Sequence, residues 1–157
     1  MPRMTGAKYL ADTLKAYGVS HVFLVPAVLR KSLAEMDMVG IKRVVTHGEK
    51  AAAYMADGYA RASGKVGVCT ATSGPGATNL ATGIAAAQMD SVPIVAITGQ
   101  VPRAAIGSDA FPETDLTGLT LPITKHNSLV MDVNDIAPAN QEAFLLDLSG
   151  RPGPVLV

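Results

Sequence analysis

The stretch VGVCTATSGPGATNLATG, residues 66–83, is the part of the sequence that decides the fold. Residues 66–72 are apolar or small on both faces, as expected for a strand of a parallel sheet that helices cover on both sides. SGPG then predicts a tight turn, and the alanine-rich residues 77–89 predict a helix. A strand that leads through a glycine-rich turn into a helix is the repeating unit of an α/β fold.

The same alternation of strands and helices extends from this stretch in both directions. It predicts a single domain over residues 1–157, of the α/β class, with a doubly wound, mainly parallel sheet and helices on both faces. Ligands of such sheets bind beyond the carboxyl ends of the strands. Residues 100–122 have no clear period and predict a long irregular loop. The remaining predicted helices are 4–17, 29–36, 49–62 and 137–148, and the remaining predicted strands are 21–25, 41–45, 92–98 and a last one in 151–157.

Composition excludes several classes of function. The 13 basic and 13 acidic side chains cancel, and no basic stripe indicates nucleic-acid binding. No segment approaches the roughly 20 apolar residues of a membrane span, and no signal peptide is recognisable, so a cytoplasmic protein is expected. The single cysteine, Cys69, excludes an internal disulfide and a cysteine zinc site, and we expect it to be buried and inert. His21, His47 and His126 lack metal-ligand spacing, so no metal is assigned to this chain.

The glycine-rich turn fits neither of two familiar nucleotide motifs. The dinucleotide fingerprint needs a third glycine where this chain has Asn79. A phosphate loop needs a lysine after its glycines, and none is present. Two interpretations remain open at this point: a different ligand over the turn, or a tight connection without a ligand.

Glu49 also has two interpretations. With Thr46 three residues earlier it forms a capping-box pattern, in which Thr46 is the N-cap and Glu49 reaches back to its backbone N–H. Alternatively, Glu49 belongs to the alanine-rich face of its helix, with Ala52, Ala53 and Ala56. Partial desolvation on that face would make the carboxyl group easier to protonate and suited to relaying a proton.

Several segments in the same order resemble one enzyme family. Residues 47–102 (HGEKAAAYMADGYARASGKVGVCTATSGPGATNLATGIAAAQMDSVPIVAITGQVP), GSDAF at 107–111, PITKHN at 122–127 and GRPGPVLV at 150–157 carry the resemblance. They are similar to the N-terminal, pyrimidine-binding domain of acetolactate synthases and related thiamine-diphosphate carboligases and decarboxylases. The resemblance implies the thiamine-diphosphate-binding fold and a 2-keto acid as substrate.

The resemblance also implies roles for individual residues. Glu49, eight residues before Asp57 of ADGYAR, is the catalytic residue that hydrogen-bonds the pyrimidine ring nitrogen and promotes the imino tautomer of the ring. The other residues implied in cofactor binding lie after two predicted strands: Val25, Pro26, Thr72, Pro75 and Asn79.

Two departures from the family pattern concern the substrate pocket. Ala27 and Val28 replace two glycines of the family, so their added methyl groups would reshape the acceptor space. Pro112 stands where the family commonly has a glutamine after DAF, and it cannot donate a side-chain hydrogen bond. Phe111 is either a wall of this pocket or a core aromatic. These changes place acetolactate synthesis itself in question and leave a related lyase or carboligase open.

The resemblance implies missing partners. The family's diphosphate-binding domain, which uses Mg²⁺, and its middle domain, which carries FAD in some members, have no counterpart in residues 1–157. The chain is therefore expected to be inactive alone and to share thiamine diphosphate with the diphosphate-binding domain of a partner subunit. Exposed faces that meet missing partners predict a homo-oligomer.

Three hypotheses about the chain are considered, and they describe different classes of protein. The chain, which stops inside an apolar strand at Val157, would be a fragment, a separately encoded half or an isolated domain of such an enzyme. A second hypothesis is a non-catalytic binding or assembly module of the same fold. A nucleotide-binding Rossmann-like protein is the third, and the failed fingerprints argue against it.

Overall fold

The structure is a computed structural model that describes residues 4–27, 29–108, 111 and 113–157. Helices and strands alternate through most of it, as the sequence predicts. The helices are α1 Gly6–Ala16, α2 Arg30–Met38, α3 Glu49–Ser63, α4 Pro75–Thr78, α5 Ala81–Asp90, α6 Leu116–Thr120 and α7 Ile136–Leu146. The strands are β1 His21–Leu24, β2 Lys42–Val45, β3 Gly67–Ala71, β4 Ile94–Thr98, β5 His126–Asn127 and β6 Val155–Leu156.

Within the described residues the strands form one sheet with the order β2-β1-β3-β4-β6-β5, and every pairing is parallel. The chain moves from β1 outward to β2 and then returns to the other side of β1 to form β3. This reversal places a crevice between the carboxyl ends of β1 and β3, where such sheets bind ligands. The predicted doubly wound α/β fold is confirmed.

The central strands carry the core because they are buried on both faces. Along β3, Val68 packs into one apolar cluster and the next residue, Cys69, into the other, as the period of a strand requires. The first cluster includes Leu14 of α1 and Phe144 of α7, and the second is formed largely by alanines of α3 and by α5. Cys69 is fully buried, and its burial raises the pKa of the thiol to about 12, which keeps it protonated and inert.

Three predicted segments differ from the structure. The single helix expected over 77–89 is divided into α4 and α5, because Leu80 N–H donates to Ala77 O in a tighter turn. The irregular segment 100–122 contains the short helix α6, for which Asp115 Oδ1 accepts from Gly118 N–H at 2.8 Å. Strand β5 was missed because a polar two-residue strand has no recognisable period.

No helix among the described residues has both the length and the hydrophobicity that crossing a bilayer requires.

Helix α3 lies unusually close to two neighbours. A β-carbon on Gly67 of β3 would overlap the backbone carbonyl of Ala56, and one on Gly83 of α5 would lie 2.5 Å from Ala53 Cβ. Real contacts of this kind do not occur, so both positions need glycine. The face that α3 presents to them consists of alanines that are fully or almost fully buried: Ala52, Ala53, Ala56 and Ala60. Small side chains therefore set the position of the whole helix.

We predict that Gly67→Ala lowers the free energy of unfolding by about 1–3 kcal/mol, the usual cost of overpacking a core. Chemical denaturation followed by circular dichroism measures this change. Gly58→Ala is the matched control, because Gly58 lies in α3 with nothing near its missing β-carbon. It should raise stability by about 0.5–1 kcal/mol, as expected for glycine replaced by alanine inside a helix. Equal stability of the Gly67→Ala variant and the parent chain would show that α3 is not held this closely.

Asp147, at the end of α7, is a buried acid that the sequence did not reveal. Its side chain is fully buried, and neither carboxyl oxygen has a hydrogen-bond partner in the described part of the chain. Burial raises the pKa of this carboxyl group to about 7. The backbone around it is ordered by Gly153 N–H, which donates to Asp147 O at 2.9 Å.

This burial predicts a pH-dependent stability. Between its ordinary pKa of 3.8 and about 7, Asp147 holds its proton in the folded chain and loses it in the unfolded chain. Stability therefore falls as pH rises through this window. At pH 8, Asp147→Ala should raise the free energy of unfolding by something on the order of 2–4 kcal/mol, and the gain should disappear near pH 4. Thermal and urea unfolding across this pH range measure it.

The control for this measurement is Asp135→Ala, which removes an exposed aspartate whose side chain makes no capping hydrogen bond. It should show no comparable pH-dependent gain. An Asp147→Ala variant whose stability follows the parent chain at every pH would exclude a protonated buried Asp147.

Candidate functional site

The candidate site lies where β1, β2 and β3 end, on the carboxyl edge of the sheet. The segments that follow these strands are Val25–Pro26, Thr46–Gly48 and Thr72–Gly76. The first two are joined directly, because Thr46 N–H donates to Leu24 O at 2.8 Å. Sequence reasoning placed its cofactor-binding residues on the first and third of these segments, at the start of α3 and, for Asn79, just after α4, and the parallel sheet gives these places a common edge.

The carboxylate of Glu49 contacts the glycine-rich turn. Asn79 Nδ2 donates to Glu49 Oε2 at 3.3 Å, across 30 residues of sequence. Glu49 is half-buried, and no other hydrogen bond to its side chain is found among the described residues. Oε1 is therefore left without a protein partner in that part of the chain.

Gly76 brings the turn against this carboxylate. A β-carbon on Gly76 would overlap Thr72 Cγ2 and would lie 3.2 Å from Glu49 Oε1. Two predicted residues, Glu49 and Thr72, thus border one position that only glycine can occupy. The sequence showed the glycine turn but not that Gly76 faces Glu49, since that contact depends on how α3 and α4 pack.

The capping-box interpretation of Glu49 is wrong. The N-cap of α3 is Gly48, with no side-chain capping bond, and Glu49 is the first helical residue. The Thr46 hydroxyl instead donates to Gly48 O at 2.9 Å, with Leu24 O at 3.3 Å as its alternative acceptor. Thr46 therefore ties the end of β2 to the end of β1, and the Glu49 side chain is free to point towards the turn.

The turn also positions Pro75 and Asn79. Pro75 is the first residue of α4, where its missing N–H costs nothing, and it is exposed. Asn79 follows the last residue of α4, and its N–H donates to Pro75 O at 3.1 Å. The short helix α4 thus holds the side-chain amide of Asn79 within hydrogen-bond distance of Glu49.

The expected substrate-pocket residues are described only in part. Ala27 is half-buried just beyond β1, next to Val25 and the exposed Pro26. Phe111 is 92% exposed, so the alternative of a core aromatic is wrong. Val28 and Pro112 lie outside the described residues. The assignment of Ala27, Val28 and Phe111 to a substrate pocket stays a prediction.

One other group of polar residues serves the fold. Asp57 accepts from Arg61 Nε at 2.9 Å, and Arg61 Nη2 also donates to Asp90 at 2.7 Å, which joins α3 to the end of α5. In the described part of the chain, no three histidine, cysteine, aspartate or glutamate side chains cluster as a metal site would require.

Comparison with known proteins identifies the family of this chain. The sequence model described as "Thiamine pyrophosphate enzyme, N-terminal TPP binding domain" matches residues 4–119. The chain belongs to this family.

Similar proteins of this thiamine pyrophosphate enzyme family include acetolactate synthases. The chain is 52% identical over 160 residues to "Acetolactate synthase" of Arthrospira platensis, covering 99% of this chain and 28% of the relative. It is 54% identical over 154 residues to "Acetolactate synthase, chloroplastic" of Arabidopsis thaliana, covering 97% of this chain and 23% of the relative. It is 51% identical over 157 residues to "Acetolactate synthase large subunit" of Corynebacterium glutamicum, covering 99% of this chain and 25% of the relative. The chain thus spans about a quarter of the length of these curated relatives.

Proposed function

We propose that this chain binds the aminopyrimidine half of thiamine diphosphate as part of an acetolactate synthase-like enzyme that acts on 2-keto acids. The observation that carries the proposal is the Glu49 carboxylate at the glycine turn, where Asn79 engages Oε2 and Oε1 remains without a partner among the described residues. Family membership supports the cofactor, and the similar acetolactate synthases support the reaction class.

The residues at this edge of the sheet fit a flat, nitrogen-containing ring. Because Gly76 has no β-carbon, the turn packs closely against Thr72 and approaches Glu49 Oε1, and a larger residue there would overlap Thr72 Cγ2. A carboxyl oxygen without a protein partner suits a ring nitrogen that shares a proton with it. Thr72, Pro75 and Asn79 would line the ring from the turn, and Val25 and Pro26 would meet it from the end of β1.

In this proposal the protein positions the cofactor and supplies a proton. When bound, thiamine diphosphate supplies the electron sink for cleaving and forming the bond next to a ketone. Glu49 holds a proton at its carboxyl group towards the pyrimidine ring nitrogen. Asn79 fixes the orientation of the carboxylate through Oε2, so that Oε1 faces the ring.

The complete enzyme requires more than residues 1–157 in this proposal. The chain acts as a single pyrimidine-binding domain, while another domain, on a partner subunit, holds the diphosphate through Mg²⁺, and a middle domain carries FAD if the enzyme uses it. The relatives, about four times as long as this chain, support this arrangement. Ala27, Val28 and Phe111 would then border the 2-keto acid and its acceptor.

A chimaera tests the proposal. Residues 1–157 would replace the matching segment of the Corynebacterium glutamicum acetolactate synthase large subunit, which is 51% identical over 157 residues. We expect the chimaera to bind thiamine diphosphate and to consume pyruvate, and Glu49→Gln to lower its turnover at least 100-fold, within the usual range for removing a group that transfers a proton. Circular dichroism and thermal unfolding check that the variant folds.

Glu142→Gln is the matched control, because Glu142 lies on the exposed surface of α7. It should leave turnover unchanged. A folded chimaera that keeps normal turnover with Glu49→Gln would refute the role of Glu49. A folded chimaera that neither binds thiamine diphosphate nor turns over, with Glu49 intact, would favour the non-catalytic assembly module.

The proposal includes self-association through the outer face of α3. Tyr54 and Met55 are 44% and 42% exposed on the helix that carries Glu49. Large apolar side chains in this setting mark surfaces that pack against a partner. An interface here would bring the partner subunit next to the candidate site.

Sedimentation velocity at micromolar concentration should therefore detect a dimer or a larger oligomer of the chain. Met55→Lys should weaken this association, since burying an ammonium group at an interface is costly. Met38→Lys, at the 81%-exposed last residue of α2, is the control and should leave it unchanged. A monomeric parent chain at these concentrations would contradict the predicted oligomer.

A further inference from the structure

The start of helix α3 lacks the usual local restraints on its backbone. Its N-cap, Gly48, makes no side-chain capping bond and has an extended backbone, with φ −178° and ψ 152°. A β-carbon on Gly48 would meet nothing within 4 Å, so no neighbouring atom packs against it on that side. Glycine also has the most freely rotating backbone of any residue. Glu49 follows Gly48 directly, so the place of the Glu49 carboxylate depends on what holds Gly48.

The hydroxyl of Thr46 supplies such a restraint. It donates to Gly48 O at 2.9 Å, the shorter of its two possible bonds. This oxygen belongs to the peptide unit that joins Gly48 to Glu49. Because a peptide unit is planar, holding its oxygen also fixes the direction of the Glu49 N–H. Ala52 N–H donates to the same oxygen at 3.2 Å, and a carbonyl oxygen can accept both bonds.

Thr46 is itself anchored to the interior of the sheet. Its N–H donates to Leu24 O at 2.8 Å. Leu24 is buried at the end of β1 and is paired on both sides, with Val45 of β2 and Thr70 of β3. The Thr46 hydroxyl therefore starts from a fixed point when it holds the start of α3.

The contact at the far end of the Glu49 side chain is too weak to fix the carboxylate alone. Asn79 Nδ2 lies 3.3 Å from Glu49 Oε2, beyond the roughly 2.7–3.2 Å of most N–H···O bonds. No other hydrogen bond to this side chain is found among the described residues. A glutamate side chain with one long bond keeps its direction only if its own backbone is held.

We propose that Thr46 is a positioning residue for Glu49: by holding Gly48 O, its hydroxyl sets the direction from which the Glu49 carboxylate meets Asn79. Thr46 acts through the backbone and transfers no proton itself. Its effect on turnover rests on the proposed function of Glu49, whereas its effect on the contact with Asn79 does not.

A role of Thr46 in the fold alone can be separated from this positioning role. The bond that ties β2 to β1 uses the backbone N–H of Thr46, which any variant other than proline keeps. Thr46→Val removes the hydroxyl at nearly constant shape and leaves the backbone bond in place. Thr46→Ser keeps both.

The ¹⁵N-labelled 157-residue chain gives a readout that needs no cofactor. The NMR signal of the Asn79 side-chain NH₂ would be recorded in the parent chain and in Glu49→Ala, in which the contact is lost. We expect Thr46→Val to move this signal most of the way from the parent position towards that of Glu49→Ala. Thr46→Ser should keep the parent position.

Kinetics of the chimaera described above give the second readout. Thr46→Val should lower kcat about 10-fold at unchanged KM for pyruvate, since misplacing a catalytic group by about 1 Å can cost up to about 100-fold in rate. Thr46→Ser should keep the parent kcat.

Thr98→Val is the matched control. Thr98 is the last residue of β4, and its N–H and hydroxyl donate to Val157 O at 2.8 Å and 3.4 Å. The arrangement resembles that of Thr46 but lies away from Glu49, so the Asn79 signal and kcat should stay unchanged. Circular dichroism and thermal unfolding check folding. If Thr46→Val does not fold, Thr46→Ala, which adds no atom beyond the β-carbon, takes its place.

Three results would overturn the proposal. They are an Asn79 signal at the parent position in Thr46→Val, an equal shift in Thr46→Ser or Thr98→Val, and unchanged kcat of Thr46→Val in a chimaera that Glu49→Gln inactivates. Normal turnover of Glu49→Gln would instead refute the proposed function, and the Asn79 signal would still report whether Thr46 positions Glu49.

Discussion

The close contact of α3 with β3 and α5 is the constraint on which the candidate site depends. Gly67 lets the backbone of β3 approach Ala56, and Gly83 lets α5 approach Ala53. No side chain larger than alanine fits along this face, so the helix cannot slide or roll without creating overlaps or voids. Helix α3 therefore begins at one defined point, and its first residue is Glu49.

The glycine-rich turn after β3 determines what the Glu49 carboxylate contacts. The turn after β3 leads into α4, and Asn79 at the end of α4 reaches Glu49 Oε2. Gly76 lets the turn approach Oε1 and pack against Thr72 because it has no β-carbon. Two chain segments that are far apart in sequence thus form one site, since β1 and β3 are neighbours in a parallel sheet and their carboxyl ends meet.

The carboxyl edge of the sheet carries the candidate site at β1 and β3 and a separate cavity at β4 and β6. At β1 and β3, the half-buried Glu49 lies against the glycine-rich turn and accepts a hydrogen bond from Asn79. At β4 and β6, a cavity of about 720 Å³ is lined by aliphatic side chains together with Glu113 and other polar residues. The irregular segment after β4 supplies Glu113, so the part of the chain with the weakest pattern contributes a wall of this cavity.

The sequence alone determined the fold class and most of the elements, because apolar strands and helical spacing are local patterns that burial in a parallel sheet requires. It also singled out Glu49, Thr72, Pro75 and Asn79, through motifs that keep their order along the chain. It was wrong about the capping box at Thr46, and it did not reveal the break between α4 and α5, strand β5 or the buried Asp147. Only the tertiary structure decided that Gly76 faces Glu49, that Phe111 is exposed, and that Asn140 and Glu113 share a cavity. The reason is physical: a pattern of residues specifies which face of an element is buried, but the neighbour that it meets is set by how closely whole helices and strands can pack.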